Sequence, residues 1–280
     1  MLTTLLLTTL PFQAQAATLD KARAAFEKGA YKEVVELAKG AASEADAPRL
    51  AYLAGEAQLV LGVPSEAEAS FRAVLAKRPQ ALPAQVGLGR ALHELQRLDE
   101  AAKVLEAALK SDPKDIGALT AHGLLASTLG RAEVAKKELA QAYQLDPGNP
   151  FTVRGYVEVL LRAEDTPTAA SVIESFEKTH PRHPLGPFLM AWTMERDGED
   201  EQAVEQYQLA LERDPTYLDA HKNLAILCHT LSNTYQLKER VELAYAHYQQ
   251  YFDLGGRDAE LKTMFDSLVA FKEQILEAGK

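Results

Sequence analysis

The sequence predicts an all-α protein made of stacked two-helix units, and three observations predict it. Pro79, Pro113, Pro147, Pro181 and Pro215 recur at a constant interval of 34 residues. Other positions keep the same phase: twelve before these prolines stand Ala67, Ala101, Ala135, Ala169 and Ala203, and eight before them Phe71, Leu105, Leu139, Ile173 and Tyr207. Within each interval apolar residues recur at helical spacing, as in "ALTAHGLLASTLG" and "AEVAKKELAQAYQL". A fixed period of this length marks a repeat array, in which each unit buries its apolar face against its neighbours.

Taken in order, residues 1–16 read as a signal peptide. Leu2 to Phe12 is an uncharged, mostly apolar run, and Ala14-Gln15-Ala16 offers a small-x-small cleavage pattern before Ala17. No Lys or Arg precedes the run, and the first is Lys21. The alternative is that Met1 to Ala16 is a hydrophobic first helix of an intracellular protein. Residues 17–256 read as the array. The first unit is partial at its start, with Gly29, Tyr31 and Val34 in phase, and units two to four cover 48–81, 82–115 and 116–149. A proline ends each second helix, because it lacks an N–H and disfavours helix in the residue before it. Seventeen before the prolines stand Gly62, Gln96, Gly130, Glu164 and Gly198, where the glycines suit a left-handed helix C-terminus. Twenty-four before them stand Gly55, Gly89, Gly123, Val157 and Ala191, a column that lets helix backbones approach. Unit five, 150–183, departs from the pattern in having Val157 and Glu164 for both glycines, and unit six is 184–217. In unit seven the small residue of the second helix is Ala244, seven later than phase requires, with Tyr248 and Tyr251 following. Seven residues is about two helical turns, so this unit has longer helices with the same faces. Residues 257–280, after Gly255-Gly256, read as one amphipathic helix that caps the last open face.

Composition narrows the function classes. Hydrophobic residues make up 47% and charged residues 25%, an ordinary globular balance. A net charge of −10 argues against nucleic acid as a partner. Cys228 is the single cysteine, so no internal disulfide forms, and its place on an inner helix face makes it a small buried hydrophobe. No apolar run after Ala17 reaches transmembrane length. No catalytic arrangement stands out: there is no nucleophile elbow and no phosphate-cradling glycine loop. His180 and His183 have metal-like spacing in the turn "HPRHPLGP" but lack nearby carboxylate or thiol ligands, so neither a metal nor a cofactor is expected. A metal-carrying or catalytic protein using this pair is the competing reading.

The proline, alanine, large-apolar and glycine columns together resemble the tetratricopeptide repeat, over nearly all of the chain after residue 16. What the resemblance implies is a right-handed superhelical solenoid of about seven antiparallel helix pairs with a C-terminal capping helix. It also implies a non-enzymatic scaffold whose first helices line a concave groove. Carried over position by position, the groove residues are Tyr52 and Glu56 in unit two, Arg90 and His93 in unit three, and Leu124 in unit four. Units five to seven add Phe151, Arg154 and Glu158, then Phe188 and Trp192, then Lys222 and Ile226. Phe151, Phe188, Trp192 and Ile226 form an apolar stretch, with Arg90, Arg154, Arg162 and Lys222 placing basic groups among them. Aromatics with arginine are the composition of binding hot spots. The opposing reading packs these side chains between first helices and pairs the arginines with Glu158 and Glu195. The family's two-carboxylate clamp does not match any three consecutive units here. The expectation is therefore an adaptor of the cell envelope, periplasmic or secreted, that binds a peptide or helix of another protein and helps assemble a pilus, secretion or motility complex. A cytoplasmic adaptor is the alternative, and the oligomeric state is left open.

Overall fold

A computed structural model describes residues 18–40, 46–235 and 238–278. Among these residues the chain forms fifteen helices and no strand. Helix α1 covers 18–27, followed by α2 (Tyr31–Gly40), α3 (Ala47–Val60), α4 (Pro64–Lys77), α5 (Leu82–Glu94), α6 (Leu98–Ser111) and α7 (Ile116–Thr128). Then come α8 (Ala132–Leu145), α9 (Pro150–Arg162), α10 (Thr166–Thr179), α11 (Leu185–Arg196), α12 (Asp200–Arg213), α13 (Leu218–Tyr235), α14 (Lys238–Asp253) and α15 (Ala259–Ala278). The order is that of seven helix pairs and a final helix. The chain divides into two compact bodies, hereafter unit 1 (Met1–Leu125) and unit 2 (Ala126–Lys280), each spanning several of the two-helix repeats and replacing the repeat numbering. The proposed leader, 1–16, lies outside the described residues.

The periodic prolines do what their chemistry requires. Helices α4, α6, α8, α10 and α12 stop at Lys77, Ser111, Leu145, Thr179 and Arg213, each two residues before its proline. Other prolines open helices: α3, α4, α5, α9 and α10 carry one in their first two positions, where the missing N–H costs nothing. The turns inside the pairs α3–α4, α5–α6, α7–α8, α9–α10 and α11–α12 are left-handed. Gly62, Gly130 and Gly198 have φ of 71°, 71° and 79°, and Gln96 and Glu164 adopt the same turn at 59° without the freedom of glycine. The turn geometry is thus kept where the glycine is not.

The phase columns form the core of each unit. Ala67 and Ala101 in unit 1, and Ala135, Ala169 and Ala203 in unit 2, are fully buried. So are Phe71, Leu105, Leu139 and Tyr207, with Ile173 at 4% exposure. The pairing of small with large is direct. A Cβ on Gly55 would lie 2.7 Å from the Phe71 ring, one on Gly87 2.4 Å from the same ring, and one on Gly89 2.5 Å from Leu105. Phe71 therefore occupies space that two glycines vacate.

The last pair is longer, as expected: α13 has 18 residues and α14 has 16, and Ala244, Tyr248 and Tyr251 are buried. Helix α15 begins at Ala259 rather than at 257, because the Asp258 carboxylate accepts the Leu261 N–H at 3.0 Å and caps the helix. It packs on α14 by setting Phe265 against Tyr245, Tyr248 and Phe252, with ring centroids 5.4 to 5.7 Å apart. Cys228 is fully buried and its thiol is pushed up to about 11 by that burial, so it behaves as a core atom. No helix among the described residues is long and apolar enough to cross a membrane.

Candidate partner-binding groove

In unit 2 the first helices α9, α11 and α13 bring together residues far apart in sequence. Arg154 of α9 pairs with Asp219 of α13, and its guanidinium lies 5.5 Å from the centroid of the Phe188 ring of α11. Asp219 holds the Arg154 guanidinium more firmly protonated than usual. Arg154, Glu158, Phe188, Trp192 and Asn223 line a cavity of about 270 Å³. Glu158 binds Arg162 one turn on at 2.8 Å. Asn223 donates through its amide nitrogen to the Tyr207 hydroxyl at 3.2 Å, and that hydroxyl donates to Glu195 at 2.9 Å. Burial, opposed by the Tyr207 hydrogen bond, raises the Glu195 carboxyl above the usual range.

Phe188 departs from the expected anchor role. It is 1% exposed and packs against Tyr207 and Tyr217 at 5.7 and 5.3 Å, so its ring is the floor under Arg154 rather than a surface contact. Trp192 is half-buried and reaches the cavity. Phe151 and Ile226 are also half-buried but do not line it. Lys222 turns away to pair with Asp258, ahead of α15. The basic groups read from the sequence as available to a partner are thus engaged within the fold. Asp219 and Asn223 were missed by the sequence reading. The signal was present: they sit one turn apart on α13, flanking Lys222.

In unit 1 the first helices carry a smaller arrangement. Arg90 of α5 binds Glu56 of α3 at 2.8 Å, with side chains 23% and 18% exposed. The Tyr52 phenol, hydrogen-bonded to Glu56, is pushed up to about 12, first by burial and then by that carboxylate. His93 and Leu124 are half-buried on α5 and α7.

The histidine pair is built for packing. His180 stacks on Phe176 at 4.7 Å and His183 meets the same ring edge-on at 5.3 Å. The His183 Nδ1 accepts the Leu185 N–H at 3.1 Å, and burial lowers the pKa of this imidazole. No group of three or more His, Cys, Asp or Glu gathers in metal-binding fashion among the described residues.

Comparison with known proteins gives the frame for this face. Family models described as tetratricopeptide repeat match residues 52–116 and 116–149. A tetratricopeptide repeat protein from Parabacteroides merdae superposes with a TM-score of 0.59 at 14% identity, covering 92% of this chain and 99% of that one. Yeast Tom70 superposes at 0.61 and 17% identity, covering 89% of this chain and 53% of that one. In sequence, the chain is 32% identical over 127 residues to cellulose synthase operon protein C of Pseudomonas fluorescens. That stretch is 42% of this chain and 10% of the relative, so the chain matches only a small part of the relative's length. Tetratricopeptide arrays are protein–protein interaction scaffolds, typically without catalysis. Residues 52–149 of this chain match tetratricopeptide-repeat models, within an all-α chain whose fold is that of solved tetratricopeptide proteins.

Proposed function

We propose that the chain is a non-enzymatic adaptor of the cell envelope that holds a peptide or helix of another protein against α9, α11 and α13, with Trp192 as the principal contact. The observation that carries this reading is the cavity of Arg154, Glu158, Phe188, Trp192 and Asn223. Its charges are neutralised internally, by Arg154 with Asp219 and Glu158 with Arg162. What it offers a partner is therefore an indole face and the Asn223 carbonyl oxygen, suited to an apolar side chain beside a backbone N–H. Two things support the envelope. The apolar leader ends in a small-x-small pattern, and the relative's name attaches that protein to a cellulose synthase operon. Assembly of an export complex is the process that this pairing favours.

Cross-linked capture from intact cells, wild type against Trp192→Ala, tests the reading. The expected result is an envelope protein captured by the wild type and lost from the variant, whose far-UV circular dichroism is unchanged. Capture of the same protein by both would move the interaction off this face. Loss of helicity in the variant would make Trp192 a core residue. The intact mass of the purified protein tests the leader: a chain beginning at Ala17 is expected, and one retaining Met1 to Ala16 in a cell fraction without envelope would replace export with the cytoplasmic alternative.

A further inference from the structure

A second cavity, of about 350 Å³, lies wholly within unit 1 and shares no lining residue with the Trp192 cavity. Its walls are apolar: Leu19 of α1, Leu53 of α3, Val74 of α4 and Pro83 of α5 contribute, and so does the ring of Tyr52. The Tyr52 hydroxyl is directed elsewhere, to Glu56. Three arginines also line this cavity, Arg23, Arg49 and Arg78, and all three are exposed. In a chain of net charge −10, three cations and no carboxylate among the lining residues is a local inversion of sign. Their existing partners are weak. Arg23 faces Asp20 at 4.0 Å and Arg49 faces Asp46 at 3.2 Å, each one turn away on the surface with the arginine side chain 56% exposed. Arg78, at the C-terminus of α4, makes no ion pair among the described residues. An apolar hollow of this size with a few placed charges has the make-up of a recognition site. Arginine forks suit carboxylates in two-point contact.

We infer that this cavity takes a bulky apolar side chain from an acidic segment of a partner protein, with the flanking carboxylates held by Arg49 and Arg78. The inference rests on the chain being a protein-binding scaffold but not on the Trp192 face. The apolar side chain leaves water for the Leu19, Leu53 and Val74 walls, while the partner's carboxylates exchange solvent for the arginine forks, of which Arg49 gives up only its contact with Asp46. Specificity follows from the combination. A basic peptide meets three cations, and an acidic peptide without the apolar residue leaves the hollow filled with water.

Fluorescence anisotropy on the full chain tests this with a fluorescein-labelled probe, Asp-Glu-Phe-Glu-Asp. Controls are the same peptide with Ser for Phe, the same with Lys for every acid, and decanoate as an unlabelled competitor. The expected result is saturable binding of the probe, weakened by roughly tenfold or more in the Arg49→Ala/Arg78→Ala double variant. Binding should also weaken when salt rises from about 0.05 to about 0.5 M. The Ser and Lys peptides should bind more weakly than the probe, and Trp192→Ala should bind it as the wild type does. No binding of the probe, equal binding of the Lys peptide, or unchanged affinity in the double variant overturns the inference. Binding of decanoate where the peptide fails, read by isothermal titration calorimetry, also overturns it, in favour of a small-molecule site. If the probe fails while envelope capture still depends on Trp192, only this inference falls.

Discussion

His221 and His247 set a pH dependence that can be worked from the structure. Their Nδ1 atoms lie 2.9 Å apart, between α13 and α14, and the His221 Nε2 lies 3.0 Å from the Pro215 carbonyl oxygen. A carbonyl only accepts, so the His221 proton sits on Nε2 and its Nδ1 is a lone pair. That lone pair accepts the Nδ1–H of His247, and both rings are neutral. Burial, with His221 beside it, pushes His247 down to about 4, and burial lowers His221 against the smaller opposing pulls of the Pro215 carbonyl and Asp214. A group whose folded pKa is depressed binds fewer protons folded than unfolded. Its stabilisation is therefore whole above the unfolded value of about 6.5 and is lost as pH falls from there toward about 4. The full interval corresponds to on the order of 3 kcal/mol, of which about 2 kcal/mol is lost between about pH 7.5 and about pH 5. The assay is urea unfolding at both pH values, for wild type and for His247→Gln, whose amide can still donate to His221. Burial depresses His183 and His229 as well, but both proteins keep them, so the difference between the two pH responses isolates the His221–His247 pair. The expected outcome is a variant whose stability falls less on acidification, by about 2 kcal/mol. Equal pH responses would refute the neutral-pair assignment.

Two glycine substitutions separate backbone strain from packing. A Cβ on Gly130 meets nothing within 4 Å, yet φ is 71°, so Gly130→Ala should cost about 1 kcal/mol through the backbone alone, and Gln96→Gly should stabilise by up to about the same amount. Urea midpoints check both, and no change in either would refute the assigned turn. Gly87 is an ordinary helical residue, but its new Cβ would lie 2.4 Å from the Phe71 ring, so Gly87→Ala should cost about 1–3 kcal/mol. Phe71→Leu should recover part of that loss and none of the loss from Gly130→Ala, as the coupling in a double-mutant cycle would show.

The fold was legible because its determinants are periodic and local. A proline needs only its own ring to stop a helix, and a column of alanines with large partners eight before the proline reports burial whatever the turn residues are. Even the seven-residue insertion in the last pair was readable, since Ala244, Tyr248 and Tyr251 keep their faces. Gln96 and Glu164 show the limit of residue type as a signal: the turn is imposed by the helices on either side, and the sequence shows only that glycine is missing. The candidate site was half legible. Helix position placed Arg154, Glu158, Phe188 and Trp192 together, as the cavity does. It did not show which of them are exposed, because depth depends on the neighbouring pairs: Tyr207 and Tyr217 close over Phe188.

The charges follow a rule that the sequence does contain. Arg90 pairs with Glu56, 34 residues back, Lys222 with Asp258, 36 residues on, and Arg213 with Glu177, 36 back, while Arg154 reaches Asp219 over 65, close to two periods. Equivalent positions recur at the repeat interval, on first helices for Arg90 and on second helices for Arg213, so a charge finds its partner about one repeat away, or two for Arg154. Searching for opposite charges at the repeat interval would have shown that the groove cations are occupied. It also bears on recognition. A partner that bound Arg154 or Arg90 through its own carboxylates would have to displace Asp219 or Glu56, and a partly buried carboxylate left without its arginine costs more than an exposed contact returns. On the Trp192 face, discrimination therefore falls to shape and to the indole. Arg23, Arg49 and Arg78 are among the cations loosely held by the fold: the first two answer only to an acid three residues before them, and Arg78 has no ion pair among the described residues. A partner that engages both surfaces would divide its recognition accordingly, with an apolar contact insensitive to salt on one and a charge-dependent contact on the other.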